Sequence, residues 1–195
     1  LSDALIASEQ RVVTFDSRLQ SVVEENGQVH VQTENGGHFS ADLVIGADGV
    51  HSRVRDYVAG PGEPDFSGLV AWRGLIPFER ISNGHKYDRP QIWIGKGRHV
   101  VTYPLRQEQM YNFVAVTNTR EAQIESWANQ SDNSALRKAF DNWHPNVREL
   151  IENLPHPFVW GLYDRPPTTT WYRGRVVLLG DSVHPMLPAM AQGAA

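Results

Sequence analysis

The stretch Gly174-Arg-Val-Val-Leu-Leu-Gly-Asp-Ser-Val-His-Pro-Met-Leu-Pro-Ala-Met-Ala-Gln-Gly-Ala-Ala195 decides how the whole chain is read. Val176 to Leu179 are four apolar residues in a row, β-branched first, closed by Gly180. That pattern predicts a strand buried on both faces, as in a parallel sheet covered by helices. Asp181 stands at its end, followed by a loop punctuated by Pro185 and Pro188. The small-residue run Ala191-Gln-Gly-Ala-Ala195 then reads as the opening of a helix. In open α/β sheets ligands bind beyond the carboxyl ends of the strands. An acidic side chain there can hold a sugar hydroxyl, and free N–H groups at a helix start can hold an anion. Small residues at that start let a flat ring or a pyrophosphate approach the backbone.

A second stretch, Asp42-Leu-Val-Ile-Gly-Ala-Asp-Gly-Val-His-Ser-Arg-Val-Arg55, has the same logic. Leu43 to Ile45 form a second buried-strand candidate. Ser52 is a plausible N-cap for a helix that starts at once. Taken together, Leu-Leu-Gly-Asp-x-x-His-Pro-x-x-Pro with Gln-Gly-Ala, and Asp-Gly-x-x-Ser, resemble two fingerprints of the class A flavoprotein aromatic hydroxylases. Salicylate, hydroxybenzoate and hydroxynicotinate monooxygenases are in that family. The resemblance covers almost the whole chain. It implies FAD as cofactor and NADH or NADPH as co-substrate, with one atom of molecular oxygen passed to a small aromatic substrate.

The same resemblance assigns residues. Asp181 and Gly180 would hold a ribitol or ribose hydroxyl of FAD, and Gln192, Gly193 and Ala194 would offer N–H groups to the flavin. Asp48, Gly49 and Arg53 match the family's Asp-Gly motif, which serves both FAD and pyridine nucleotide. Pro185 matches a proline whose carbonyl faces the substrate. His99 and Tyr103 match a histidine and tyrosine that face the substrate in several relatives. On a strand they share one face about 13 Å apart. A histidine can remove a phenolic proton near neutral pH. Trp72 and Arg73 also match the family. The chain departs from many relatives at Pro188 and Ala189, where a polar or stacking residue is usual.

The chain in order supports an α/β fold, with a partial parallel FAD-binding sheet and an inserted, mostly antiparallel α+β substrate domain. Arg11–Phe15, Leu19–Val23 and Gln28–Thr33 are short strand-like runs separated by turn chemistry at Asp16-Ser17 and Glu25-Asn26-Gly27. Gly60-Pro-Gly-Glu-Pro64 is a composition break that suits a domain crossing. Strand-like runs follow at Leu69–Pro77, Gln91–Gly95, His99–Leu105 and Tyr111–Thr117, with Asn83-Gly84 as a turn. Two short helices are split at His144-Pro145, and Phe158–Tyr163 returns as a strand. The expected organisation is residues 1–59 in the FAD-binding domain, 60–165 in the substrate domain and 166–195 back in the first.

Composition narrows the function. A formal net charge of −4 gives no polyanion-binding signal, so nucleic acid is not an expected partner. With no cysteine, thiolate chemistry and disulfides are excluded, and no metal site is expected. No apolar run approaches membrane-spanning length, and Leu1-Ser-Asp-Ala-Leu-Ile is no basic-then-apolar leader. A cytoplasmic protein is expected, and a homodimer is compatible with the sequence. There is no Gly-x-Gly-x-x-Gly after a strand and no initiator Met, and the last residues fall within the helix start. The chain therefore reads as an internal fragment of a longer enzyme. Two alternatives stay open: an epoxidase- or halogenase-like flavoprotein, and a fragment that binds a ligand without turnover. An upstream strand followed by Gly-x-Gly-x-x-Gly would favour the enzyme.

Overall fold

The computed structural model describes residues 13–82, 88–105, 107, 109–119 and 133–188. They group into two compact units, one running to Asp65 and resuming at Asp164, the other spanning Phe66–Tyr163. The turn-rich residues 60–64 stay with the first unit, because the chain changes units only inside the long strand that begins at Asp65.

The first unit holds two three-stranded sheets. In one, β1 (Leu19–Glu25), β2 (Gln28–Thr33) and β3 (His38–Ala41) pair antiparallel in sequence order. Asn26 and Gly27 turn β1 into β2 with positive φ angles of 51° and 79°. The strand expected from Arg11 is not formed over its described part. Residues 13–15 precede a turn in which Asp16 has φ 54° and the Ser17 hydroxyl donates to the Phe15 carbonyl. Phe15 is 66% exposed.

In the other sheet, β4 (Val44–Gly46) runs parallel to β11 (Val176–Leu178), and β10 (Tyr172–Arg173) adds an antiparallel edge. The described sheet is therefore mixed, with one parallel pair. Helix α1 (Arg53–Ala59) lies on one face and buries Val54 and Val58 against Val176, Leu178 and Val29. Gly46 permits this approach: a Cβ there would stand 2.6 Å from Val54 Cβ. Ile45 and Leu179, on the side away from α1, are 56% and 60% exposed. Only one face has a helix to cover it among the described residues.

The second unit is a five-stranded sheet in the order β6 (Gln91–Gly95), β7 (Arg98–Leu105), β8 (Met110–Asn118), β5 (Asp65–Pro77), β9 (Phe158–Asp164). The pairs β6/β7, β7/β8 and β8/β5 are antiparallel. Helices α2 (Ser134–Ala139) and α3 (Pro145–Glu152) pack Leu136, Phe140, Val147 and Leu150 against Val100, Phe113 and Trp72. Pro145 begins α3, where a missing N–H costs nothing, and His144 Nδ1 accepts from Asn146 N. Because side chains alternate along a strand, that packing covers one face of the sheet and leaves His99, Val101 and Tyr103 on the other.

Candidate functional site

The carboxyl ends of β4 and β11 lie side by side, since the two strands are parallel and paired. Beyond β11 the chain makes a 3₁₀ turn, Gly180–Ser182, closed by Val183 N and His184 N donating to the Gly180 carbonyl, each at 3.0 Å. Ser182, fully buried, has its hydroxyl 2.6 Å from the carbonyl oxygen of Gly46, and Leu179 N donates to the same oxygen at 2.9 Å. The turn is thereby fastened to the end of β4. Within it the Asp181 carboxylate is exposed and has no hydrogen-bond partner among the described residues. Gly180 has φ 65°, and no atom lies within 4 Å of where its Cβ would be. Its backbone is open to a ligand at a conformation L side chains rarely adopt. Pro185 is half-buried and follows His184, whose ring centroid is 5.5 Å from that of Trp171.

Asp48 is committed differently. Its Oδ2 accepts from the backbone N–H groups of Arg53 (2.8 Å) and Val54 (3.2 Å), and Ser52 Oγ donates to Oδ1. Ser52 Oγ in turn accepts from Arg55 N at 2.9 Å. These bonds satisfy the free N–H groups of the first turn of α1, and the negative charge suits the positive end of the helix. Gly49, with φ 79°, makes the bend that brings Asp48 back over that turn. Arg53 Nη1 donates to the Leu19 carbonyl at 2.6 Å and to Glu34 Oε1 at 2.7 Å. Asp48 and Arg53 border a groove of about 570 Å³ whose walls include Val31, Thr33, Val44 and Ile45.

The sequence motifs assign no role to Arg55. Arg55 is 6% exposed, and its guanidinium donates to the carbonyls of Val183 (2.8 Å), Ser182 (3.1 Å) and Pro166 (2.9 Å). Burial lowers its pKa from the ordinary arginine value, the neighbouring Arg165 lowers it further, and Asp56 opposes both. Arg165, also buried, donates from Nε to the Val50 carbonyl at 2.6 Å. The two arginines thus bind the loop after β11, the segment at 165–166 and the residues before α1 into one block. The spacing Ser52-x-x-Arg55 puts Arg55 one turn into the helix on its inner side, which is a legible signal. Its acceptors are main-chain carbonyls, which carry no side-chain signature.

In the second unit, His99 and Tyr103 stand two register rows apart on the same face of β7, and neither side chain has a hydrogen-bond partner among the described residues. Trp72 faces the core and donates from Nε1 to Thr117 Oγ1 at 3.2 Å, while Arg73 rises exposed from the opposite face. Gln192, Gly193 and Ala194, and the Ala191–Ala195 helix start, lie outside the described residues, as does the Asn83-Gly84 turn. Among the described residues no three His, Asp or Glu side chains converge to hold a metal ion, and no helix is long and apolar enough to cross a membrane.

Comparison with known proteins matches this arrangement. The 6-hydroxynicotinate 3-monooxygenase of Bordetella bronchiseptica is 38% identical over 186 residues, covering 94% of this chain and 48% of that enzyme. A salicylate hydroxylase of Pseudomonas putida is 31% identical, covering 98% of this chain and 49% of its own length. Among solved structures, Klebsiella pneumoniae HpxO complexed with FAD and uric acid superposes with a TM-score of 0.78 at 29% identity, covering 91% of this chain and 45% of HpxO. The chain thus spans about half the length of the curated relatives it matches. The model of the FAD binding domain family matches residues 3–194, and the chain belongs to that family.

Proposed function

We propose that the chain is part of an FAD-dependent, NAD(P)H-using monooxygenase that hydroxylates a phenolic or aromatic-acid substrate. The observation that carries this reading is Asp181: an exposed carboxylate without a partner, at the end of a strand in a parallel pair, beside a glycine whose backbone is open. A buried or salt-bridged aspartate would have argued for structure alone. The relatives that act on hydroxynicotinate and salicylate support the substrate class.

The residues present fit FAD. Asp181 can accept from a sugar hydroxyl, Gly180 and Gly49 permit close approach to the main chain, and the groove beside Asp48 and Arg53 has a volume usual for small-molecule sites. The resemblance assigns N–H donors to Gln192, Gly193 and Ala194, which lie outside the described residues. Bound FAD would supply electron transfer from the nicotinamide and the activation of oxygen. The protein's part is to position and to move protons. Ser182 and Arg55 hold the loop that carries Asp181 and Pro185. His99 accepts the proton of the substrate hydroxyl, which makes the ring electron-rich, and Tyr103 orients that hydroxyl. Pro185 borders the substrate. The unit running to Asp65 and resuming at Asp164 serves the cofactor, and Phe66–Tyr163 serves the substrate.

The test uses the full-length protein loaded with FAD. NADH or NADPH oxidation, oxygen uptake and hydroxylated product are followed with 6-hydroxynicotinate, salicylate and 3-hydroxybenzoate. Aromatic-stimulated oxidation with product formed in step is expected. A protein that retains no flavin, or whose NAD(P)H oxidation responds to no aromatic compound, overturns the reading.

A further inference from the structure

The second unit holds a cavity apart from every residue proposed for cofactor or substrate. It measures about 240 Å³ and is lined by Lys96, Gly97, Arg98, Thr117, Asn118 and Ala139. Chain topology brings these residues together. Lys96 and Gly97 turn β6 into β7, with Gly97 at φ 70°. Register pairs His99 with Val116, which carries Arg98 and Thr117 to the adjoining row. Ala139 is the last residue of α2, and its carbonyl accepts from Arg98 Nη1.

The side chains on this wall are dominated by donors. Lys96 has no hydrogen-bond or ion-pair partner among the described residues, and Arg98 is bonded there only to the Ala139 carbonyl. Thr117 is 8% exposed, and its Oγ1 accepts from Trp72 Nε1 at 3.2 Å. The hydroxyl hydrogen of Thr117 meets no acceptor among the described residues. The Asn118 amide nitrogen lies 3.3 Å from where a Gly97 Cβ would stand, so the glycine leaves it room beside the turn. No carboxylate lines the cavity. Two cations, a buried hydroxyl and an amide are the donor set of an oxyanion site; a neutral or cationic ligand would leave both charges unanswered. The volume is far above the ~10–15 Å³ that one water needs, so a tetrahedral anion has room.

We infer that this cavity binds a phosphate group, free or as a monoester, held by Lys96 and Arg98 with Thr117 and Asn118 donating alongside. Two positive charges match a dianion, and ammonium and guanidinium groups both form charge-assisted bonds to phosphate. The inference goes beyond the hydroxylase reading and uses none of its residues. Bound there, the anion ties the β6–β7 turn to the end of β8 and, through Arg98, to the end of α2. It therefore stabilises this end of the sheet by mass action.

The test is calorimetric titration of the full-length protein with inorganic phosphate and with glycerol 3-phosphate, in phosphate-free buffer at constant ionic strength. Wild type binds, and its melting temperature rises with either probe that it binds. Tighter binding of glycerol 3-phosphate supports the site and assigns it to an organic phosphate; equal binding supports it and assigns it to the free ion. Lys96→Gln weakens binding roughly tenfold or more, the scale of one charge-assisted bond, and loses most of the melting shift. Since Lys96 is exposed and unpaired among the described residues, the variant without phosphate melts with wild type. Lys138→Gln removes the same charge from α2 outside the cavity and changes affinity by less than about twofold. Equal weakening by the two variants means diffuse attraction to a basic surface and overturns the inference. So does unchanged affinity in Lys96→Gln, or a wild type that binds neither probe. A protein that holds no flavin defeats the hydroxylase reading and leaves this titration, run on the flavin-free chain, in force.

Discussion

Arg55 Nη1 donates to the carbonyl oxygen of Val183 at 2.8 Å across 128 positions of chain. With the bonds to Ser182 and Pro166 it makes one buried side chain the common anchor of three segments. A guanidinium suits this place because its planar fork can meet carbonyls arriving from different directions. It holds its charge even though burial and Arg165 lower its pKa, because arginine starts far above the working range.

Arg55→Met leaves those three carbonyls without their donor. Unmade buried hydrogen bonds cost more than made ones contribute, so the full-length protein should lose roughly 2–4 kcal/mol of unfolding stability. Arg55→Lys should recover less than about half, since a compact ammonium lacks the span of the two guanidinium nitrogens that reach Val183 and Pro166. Urea unfolding of the flavin-free protein measures both. A loss well under about 1 kcal/mol would mean water replaces the guanidinium and the anchor is dispensable.

Asp181→Ala should behave in the opposite way. Its carboxylate is exposed and without a partner among the described residues, so the flavin-free variant should melt with wild type. FAD affinity should fall by about fivefold or more, the equivalent of one hydrogen bond of about 1 kcal/mol. Calorimetry of FAD binding beside a melting curve separates the two effects. Unchanged FAD affinity would remove Asp181 from the cofactor site.

Much of this was legible in the sequence, and the unread part has a physical pattern. β2 and β6 match their expected spans to the residue because each is bounded by turn residues. The N-cap of α1 was readable because Ser52 announces itself. The apolar run 176–179 reads as buried strand, and the described residues cover one of its faces, with Val176 and Leu178 packed under α1. Val13 and Phe15 likewise look like strand, yet Asp16 turns the chain before any partner can pair with it. The fastening of the site was the least visible part. Ser182 and Arg55 act on main-chain oxygens, which every residue offers, so only the folded chain identifies their partners.

Gly46 tests the close packing that brings the two motifs together. A Cβ at this position would meet Val54 Cβ and Cγ1 at 2.6 Å, and strand β4 is held by β11 on one side and α1 above. Gly46→Ala should cost roughly 1–3 kcal/mol through overpacking. In the double variant with Val54→Ala the contacts with Cγ1 and Cγ2 are removed while the one with Cβ stays, so part of the overpacking is relieved and the two costs should not add in full. The expected coupling is about 0.5 kcal/mol or more, read from a double-mutant cycle in urea. Strict additivity would show that α1 shifts freely on the sheet.

His99 carries the proton chemistry of the proposed reaction, and its removal should leave a distinct kinetic signature. It projects from the open face of β7 beside Ile94 and Val116, without a described partner that would give it a structural role. His99→Ala in the full-length enzyme should slow oxygen transfer to the ring by roughly 10²-fold or more, the usual scale for a lost general base. Flavin reduction in the absence of substrate should barely change, because it needs no phenolate. NAD(P)H would then be consumed with peroxide released in place of product. Tyr103→Phe, which keeps the ring and removes only a hydroxyl, should act more weakly on the same step. Stopped-flow reoxidation of the reduced enzyme with substrate bound isolates oxygen transfer from everything before it. A structural histidine predicts a different outcome, with lowered melting temperature and all steps slowed together. Wild-type transfer rates and coupling in His99→Ala would leave the hydroxylase without this base and would return His99 to the sheet.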